Sequence, residues 1–127
     1  MDLLDTKVYG LIGDDGFHRL VAAFYRRVPT DDILGPMYKG SDMAAAEWRL
    51  REFLVGRFGG PMRYVEKQGH PRLRMRHAPF AIDNAASERW QKLMGESLDE
   101  VALPAEVDTL LRAFFHSSAS FMVNRPG

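Results

Sequence analysis

The sequence predicts an all-α protein of a single domain. Apolar residues recur three and four positions apart along most of the chain, and no stretch alternates apolar and polar residues as a half-buried strand does. Glycines and prolines separate this pattern into helices of unequal length, and no internal repeat is present. We therefore expect four long helices and several short ones, with boundaries set by caps and breakers.

The first long helix is expected after a short segment that ends at Ile12-Gly13. Asp14 or Asp15 caps it and Pro29 ends it. Its apolar face consists of Phe17, Leu20, Val21, Phe24 and Val28. The following residues, 30–40, contain Pro36, two glycines and adjacent acids, which predict a loop with one helical turn around Asp31 to Leu34.

Ser41 or Asp42 caps the second long helix, and Gly59-Gly60-Pro61 ends it with residues suited to a positive φ and then to a break. Its inward face is predicted to be Ala46, Leu50, Phe53, Leu54 and either Arg57 or Phe58.

No sustained period runs from Pro61 to Phe80, and so long a loop in a small domain is usually functional or disordered. Its aromatic and aliphatic residues argue against disorder. Pro71 suits the first position of a short helix that carries Leu73 and Met75 and that Pro79 closes. His77 then lies at the end of this short helix.

Two more long helices are predicted in the remaining chain. Asp83 caps one with the face Trp90, Leu93, Met94, Ser97, Leu98 and Val101. Pro104 opens the last, with the face Val107, Leu110, Leu111, Phe114, Ser118, Phe121 and Met122.

Composition excludes several classes of function. The 127 residues fit one domain, and 17 basic against 17 acidic residues leave no net field to attract nucleic acid or a membrane surface. The absence of cysteine excludes disulfides and thiolate sites. The acidic start of the chain and the lack of a long apolar run argue against a signal peptide or a membrane span, so a cytoplasmic protein is expected.

The 4 histidines are the natural metal ligands of a chain without cysteine. His18 and His116 fall outside the apolar faces and are expected at the surface. For His70, a structural hydrogen bond to a loop carbonyl is favoured over a cofactor contact. A lone histidine such as His77 is also more often structural than a ligand, but the arginines before it could face the carboxylates of a cofactor. Haem combines such carboxylates with an apolar ring and an iron that imidazole can ligate.

Several motifs at fixed separations resemble those of group II truncated haemoglobins. The central one is Gly69-His70-Pro71-Arg72-Leu73-Arg74-Met75-Arg76-His77-Ala78-Pro79-Phe80, which resembles the proximal segment of that family. The others are Phe24-Tyr25, Met37-Tyr38, Arg49-Leu50-Arg51-Glu52-Phe53-Leu54, Gly59-Gly60-Pro61, Trp90 and Val123-Asn124-Arg125-Pro126. One departure is Ile12-Gly13-Asp14-Asp15-Gly16, where the family usually has a double glycine.

The resemblance implies a truncated globin-like two-over-two helical sandwich over residues 1–127 that encloses one haem b, with His77 as the iron ligand. It assigns Tyr25, Tyr38 and Trp90 as hydrogen-bond donors to a bound diatomic ligand, with Ala46 where many globins carry a distal histidine. Alone, Tyr25 and Trp90 would be interpreted as core packing, and Tyr38 as a half-buried anchor in a loop. The expected pocket lining is Phe24, Ala46, Leu50, Phe53, Leu54, Leu73, Met75, Phe80 and Met94. Candidates for propionate contacts are Tyr64, His70, Arg74 and Arg76.

The function that this implies is reversible binding of dioxygen and other diatomic ligands, with nitric oxide, carbon monoxide and peroxide as further small ligands. Nitric-oxide dioxygenase or peroxidase-like activity, an unknown reductase and a homodimer are left open. Several strong donors would slow ligand release and favour sensing or catalysis over bulk transport. The rival hypothesis is a haem-free helical protein-interaction module in which the aromatic residues are plain core.

Overall fold

The structure, a computed structural model, describes residues 4–68 and 82–124. Its elements are a 3₁₀ turn at Asp5–Lys7 and the helices α1 (Val8–Arg27), α2 (Leu34–Met37), α3 (Met43–Arg57), α4 (Arg63–Gln68), α5 (Asn84–Val101) and α6 (Ala105–Phe121). The described residues contain no strand, so the predicted all-α class is confirmed. Within the same ranges, no helix has the length and apolarity that crossing a membrane requires.

The four long helices form two packed pairs. Helix α1 packs against α3 and also against α5, and α5 packs against α6. The rings of Phe58 at the end of α3 and Phe114 on α6 meet edge to face, with centroids 5.0 Å apart. This arrangement is the predicted two-over-two sandwich, with the core between the pairs.

Helix α1 is broken at Gly13, where φ is 64° and ψ is −176°. The predicted end of the first segment at Ile12-Gly13 is therefore confirmed as a kink inside one helical run. Gly16 lies directly over Ile12, since a Cβ at Gly16 would come within 2.6 Å of the Ile12 Cβ. The glycines thus provide both the corner and the close approach after it. Beyond the kink, Phe17, Leu20, Val21 and Phe24 are buried as predicted.

The turn predicted around Asp31 to Leu34 lies slightly later in the chain. Asp31 precedes the turn and caps it: its Oδ2 accepts hydrogen bonds from the amides of Ile33 and Leu34 at 3.0 and 2.7 Å. Because an acid that accepts the first free amides belongs before a helix rather than inside it, α2 begins at Leu34.

Helix α3 begins and ends as predicted, with Asp42 as the cap and Phe58, rather than Arg57, in the core. The Asp42 side chain accepts a hydrogen bond from the Ala45 amide at 3.1 Å. At the other end Gly59 has a φ of 98°. The carbonyl of Phe58 accepts a hydrogen bond from the Tyr9 amide at 3.0 Å, which fixes the end of α3 against the start of α1.

The sequence predicts an irregular segment from Pro61 onward, but the structure contains a helix in its first part: Arg63–Gln68 forms α4. Arg63 donates hydrogen bonds to the buried carboxylate of Glu52 on α3 and to Asp14 on α1. Asp14 also accepts a hydrogen bond from the Tyr9 hydroxyl at 2.9 Å. This tertiary network fixes α4, and a helix of six residues is too short to show an apolar period.

Helices α5 and α6 begin where the caps predict. The Asp83 side chain accepts a hydrogen bond from the Ala86 amide at 2.8 Å, and Pro104 precedes α6. The predicted inward face of α6 is partly wrong. Val107, Leu111, Phe115 and Ala119 are buried there, whereas Phe121 is 60% exposed because it ends the helix beyond the core.

Two glycines allow a matched test of the close approach at the end of α3. Both Gly59 and Gly40 have positive φ, but a Cβ at Gly59 would lie 2.0 Å from the Thr6 carbonyl oxygen, whereas nothing lies within 4 Å of one at Gly40. We expect Gly40→Ala to lower the free energy of unfolding by about 1 kcal/mol, the cost of the left-handed backbone alone. Gly59→Ala should cost at least about 2 kcal/mol more, because the 3₁₀ turn must also move. Urea unfolding of both variants beside the wild type measures the two losses, and equal losses would contradict the packing argument.

Candidate functional site

A cavity of about 490 Å³ lies between the two helix pairs. All six helices described above contribute to its walls, as does Tyr38, which directly follows α2. Most of the lining is aliphatic or aromatic, and a volume of this size is typical of pockets that enclose a small organic ligand. The cavity is therefore the candidate binding site.

The three predicted donors all line this cavity, although each comes from a different element. Tyr25 lies on the last turn of α1, Tyr38 directly follows α2, and Trp90 lies on α5. The rings of Tyr25 and Tyr38 are edge to face at 5.9 Å, and Phe24 lies 5.1 Å from the ring of Trp90. The structure thus gathers residues that are 65 positions apart in the chain, from 25 to 90.

The two tyrosines are neighbours in the cavity wall, and both are held in the protonated form. Burial raises the pKa of Tyr25, and the neighbouring Tyr38 raises this pKa further. Burial also raises the pKa of Tyr38, and this effect outweighs the opposite effect of Tyr25 and of Arg49. Both phenols therefore stay protonated at neutral pH, and each has a hydrogen to donate.

The expected apolar lining divides into three groups. Ala46, Leu50, Phe53 and Leu54 of α3 line the cavity. Phe24 and Met94 are buried in the core and are not part of the cavity wall. Phe24 instead packs between Tyr25 and Trp90, with both ring centroids 5.1 Å away. Leu73, Met75 and Phe80 lie outside the described residues.

The expected iron ligand His77 also lies outside the described residues, as do the propionate candidates His70, Arg74 and Arg76. Tyr64 of α4 lines the cavity and packs edge to face on Phe53 with centroids 6.0 Å apart. His18 and His116 are exposed, as expected, and His116 Nδ1 lies 2.7 Å from Gln91 Oε1. No cluster of three or more His, Asp or Glu forms among residues 4–68 and 82–124.

Several lining residues were not anticipated from the sequence. Arg49 is the charged member of the described cavity wall, and Ser87 and Ser118 add hydroxyls. A signal for Arg49 was present, because it lies three residues after Ala46 and four before Phe53, on the same face of α3. Ser87 likewise lies three residues before Trp90 on α5.

The described wall fits haem in chemical character. Haem needs an apolar slot for its ring, cations for its propionates and an imidazole for its iron. The cavity supplies the apolar slot, and Arg49 supplies a cation within its wall. Tyr25, Tyr38 and Trp90 add to this mostly apolar wall two hydroxyls and an indole N–H, groups that can donate hydrogen bonds.

Comparison with known proteins agrees with this geometry. The bacterial-like globin family model matches residues 7–124. Group 2 truncated hemoglobin YjbI of Bacillus subtilis (strain 168) is 36% identical over 117 residues, which cover 92% of this chain and 88% of that protein. Two-on-two hemoglobin-3 of Arabidopsis thaliana is 32% identical over 122 residues, 94% of this chain and 70% of that protein.

Solved structures agree as well. A thermostable hemoglobin from the actinobacterium Thermobifida fusca superposes with a TM-score of 0.89 at 42% identity, covering 94% of this chain and 98% of that one. The group II truncated hemoglobin from Bacillus anthracis gives a TM-score of 0.90 at 30% identity, covering 96% and 93%. The chain therefore belongs to the bacterial-like globin family as a group II truncated haemoglobin, that is, to haem proteins that bind small gaseous ligands.

Proposed function

We propose that this protein reversibly binds dioxygen and other diatomic ligands at a haem b whose iron is ligated by His77. The observation that carries the proposal is the convergence of Tyr25, Tyr38 and Trp90 on one apolar cavity. Haem, when bound, supplies the iron that takes the gaseous ligand. The protein supplies the slot, the axial imidazole and the donors.

The assignment of His77 is supported by the places of the other histidines. His18 and His116 are exposed and do not line the cavity. His70 and His77 remain, and His77 occupies the ligand position in the motif that resembles the family's proximal segment. It lies 13 residues after Tyr64 of α4, and Tyr64 lines the cavity.

The donors act on the ligand through their protons. A phenol or indole hydrogen stabilises partial negative charge on a bound diatomic molecule, and the low dielectric of an apolar cavity strengthens the interaction. Because burial raises the pKa of Tyr25 and of Tyr38, both hydroxyls keep the hydrogen that a bound ligand would accept. Trp90 adds a second donor that has no competing acceptor function.

Arg49 and Tyr64 are the described candidates for contacts to the haem propionates. Arg49 belongs to the cavity wall although its side chain is largely exposed, which is suitable for a carboxylate at the cavity mouth. Outside the described residues, His70, Arg74 and Arg76 remain candidates.

Strong donors favour slow ligand release, so we propose sensing or catalysis rather than bulk transport. Nitric-oxide dioxygenation and peroxidase-like turnover are the reactions to test, with nitric oxide, carbon monoxide and peroxide as the other small ligands. Redox turnover would need a reductase, which is so far unknown. A cytoplasmic location and a homodimer are part of the same proposal.

The proposal predicts an intense Soret band when the purified protein is reconstituted with haemin. His77→Gly should abolish or strongly shift this band because the iron loses its axial imidazole. His116→Gly is the matched control, since His116 is exposed and outside the cavity, and should leave the spectrum unchanged. A colourless but stably folded wild-type protein would instead support the haem-free interaction module.

Removal of one donor should speed ligand release. We expect Trp90→Phe to accelerate dioxygen dissociation about tenfold, the effect of one lost hydrogen bond of about 1.4 kcal/mol. The other tryptophan provides the control: Trp48 on α3 contacts Lys67 and does not line the cavity, so Trp48→Phe should leave the rate unchanged. Stopped-flow measurement decides this, and equal rates in wild type and Trp90→Phe would count against the donor role.

The raised pKa values of the tyrosines predict an insensitivity to pH. Burial raises the pKa of both Tyr25 and Tyr38 above the usual range, so both remain protonated donors at alkaline pH. The dioxygen dissociation rate should therefore be the same at pH 7 and at about pH 10, where an exposed tyrosine is half ionised. A rise in rate with a midpoint near that pH, absent in Tyr38→Phe, would show that Tyr38 ionises normally.

A further inference from the structure

One buried ion pair outside the cavity joins two of the elements that form it. Asp31 lies between α1 and α2, and its side chain is only 7% exposed. Its carboxylate accepts hydrogen bonds from the Ile33 amide at 3.0 Å and the Leu34 amide at 2.7 Å. It also accepts one from Arg89 Nη1 of α5 at 2.7 Å. Asp31 therefore caps α2 and attaches it to α5 at the same time.

The position of this pair in the chain links it to the donors. Arg89 directly precedes Trp90 on α5, and the segment that Asp31 caps carries Leu34, Met37 and Tyr38 into the cavity wall. Helix α2 is only four residues long and packs chiefly against α5. So short a helix has little stability of its own, and its position depends on such tertiary contacts.

The surroundings of Asp31 stabilise its carboxyl group in the charged form. Burial alone would raise the pKa of its carboxyl, but the hydrogen bonds from the Leu34 amide, from Arg89 and from the Ile33 amide outweigh this and lower it. The carboxylate is thus ionised at neutral pH. If the Arg89 guanidinium were removed, the buried Asp31 carboxylate would lose its cationic partner. The segment around Asp31 would then tend to rearrange so that water can solvate the charge.

A neighbouring acid offers a natural comparison. Asp32 accepts a hydrogen bond from the same Arg89 Nη1 at 2.6 Å, but its side chain is 82% exposed. An exposed pair of this kind contributes little, because water screens it and solvates either partner alone. The two bonds to Arg89 are therefore similar in length and different in structural consequence.

We infer that Arg89 and Asp31 are positioning residues that set the Tyr38 hydroxyl relative to Trp90 and thereby tune how firmly the cavity retains its ligand. The inference rests on the proposed function, because it concerns the donors to the haem ligand. Neither residue lines the cavity, so both act through Tyr38.

The test uses the haem-reconstituted protein and two readouts. The first is dioxygen dissociation by stopped flow. The second is the C–O stretching frequency of the ferrous carbon monoxide complex, which reports hydrogen bonding to the ligand. Arg89→Gln should speed dissociation by about 3- to 10-fold, which is in the lower part of the range of coupling between contacting groups. It should also shift the stretch toward that of Tyr38→Phe. Arg89→Lys, which keeps the charge, should restore part of the wild-type behaviour.

Two controls separate positioning from general destabilisation. Asp32→Asn removes the exposed partner alone and should leave both readouts unchanged. Arg112→Gln breaks a comparable cluster in which Arg112 of α6 pairs with Asp99 and Asp108, away from the cavity, and should also leave them unchanged. If Arg112→Gln shifts the stretch as much as Arg89→Gln does, the inference is wrong.

A double-mutant cycle shows whether the effect passes through Tyr38. In the Tyr38→Phe background, Arg89→Gln should change the dissociation rate less than twofold, because the group being positioned is gone. A full 3- to 10-fold acceleration in that background would overturn the inference. Should Arg89→Gln fail to fold, Asp31→Asn, which keeps a capping acceptor but loses the charge, replaces it in the same cycle.

A readout without haem separates this inference from the proposed function. Hydrogen exchange at the Ile33 and Leu34 amides should accelerate in Arg89→Gln and not in Asp32→Asn, whether or not the protein takes up haem. Absence of a Soret band in the wild type would defeat the proposed function alone. Unchanged exchange at both amides in Arg89→Gln would defeat the positioning role alone.

Discussion

An apolar cavity of about 490 Å³ inside so small a domain is the constraint on which the rest of the structure depends. A cavity removes packing contacts from the residues around it, so the helices that line it must be held by contacts elsewhere. The core of α1 meets this need, because Phe17, Leu20, Val21 and Phe24 are completely buried beside the cavity-facing Tyr25. Each long helix thus packs with one face in the core while another face lines the cavity.

The short elements around the cavity lack this support and rely on charged groups. Exposed ion pairs, such as that of Arg26 with Glu100, contribute little to stability. Arg63 and Arg89 differ because each binds a buried carboxylate, Glu52 and Asp31, whose side chains are 5% and 7% exposed. Breaking such a pair is costly, so each fixes one short helix, α4 or α2, in a single position. Both short helices carry a tyrosine into the cavity wall.

The sequence was sufficient for the long helices and insufficient for the short ones, for a physical reason. Periodic apolar residues and caps such as Asp42 and Asp83 are local signals, and they located α1, α3, α5 and α6. Helix α4 depends on Arg63 reaching Glu52 and Asp14, which no local pattern reveals. On α6 the apolar residues cover more than one face. Val107 and Leu111 pack in the core, whereas Phe114, Phe115 and Ser118 line the cavity, so the predicted face mixed the two sets.

The candidate site also combines residues that no local pattern in the sequence connects. Alone, Tyr25 and Trp90 look like core residues and Tyr38 looks like a half-buried anchor in a loop. Only the resemblance across the whole chain identified the three together. That resemblance could not give the protonation state of the tyrosines, which follows from the burial that raises the pKa of both Tyr25 and Tyr38. A phenol that stays protonated beside an apolar cavity keeps a hydrogen to donate into that cavity. One of the two phenols, that of Tyr38, directly follows α2, so its place depends on the contacts by which Asp31 and Arg89 attach α2 to α5.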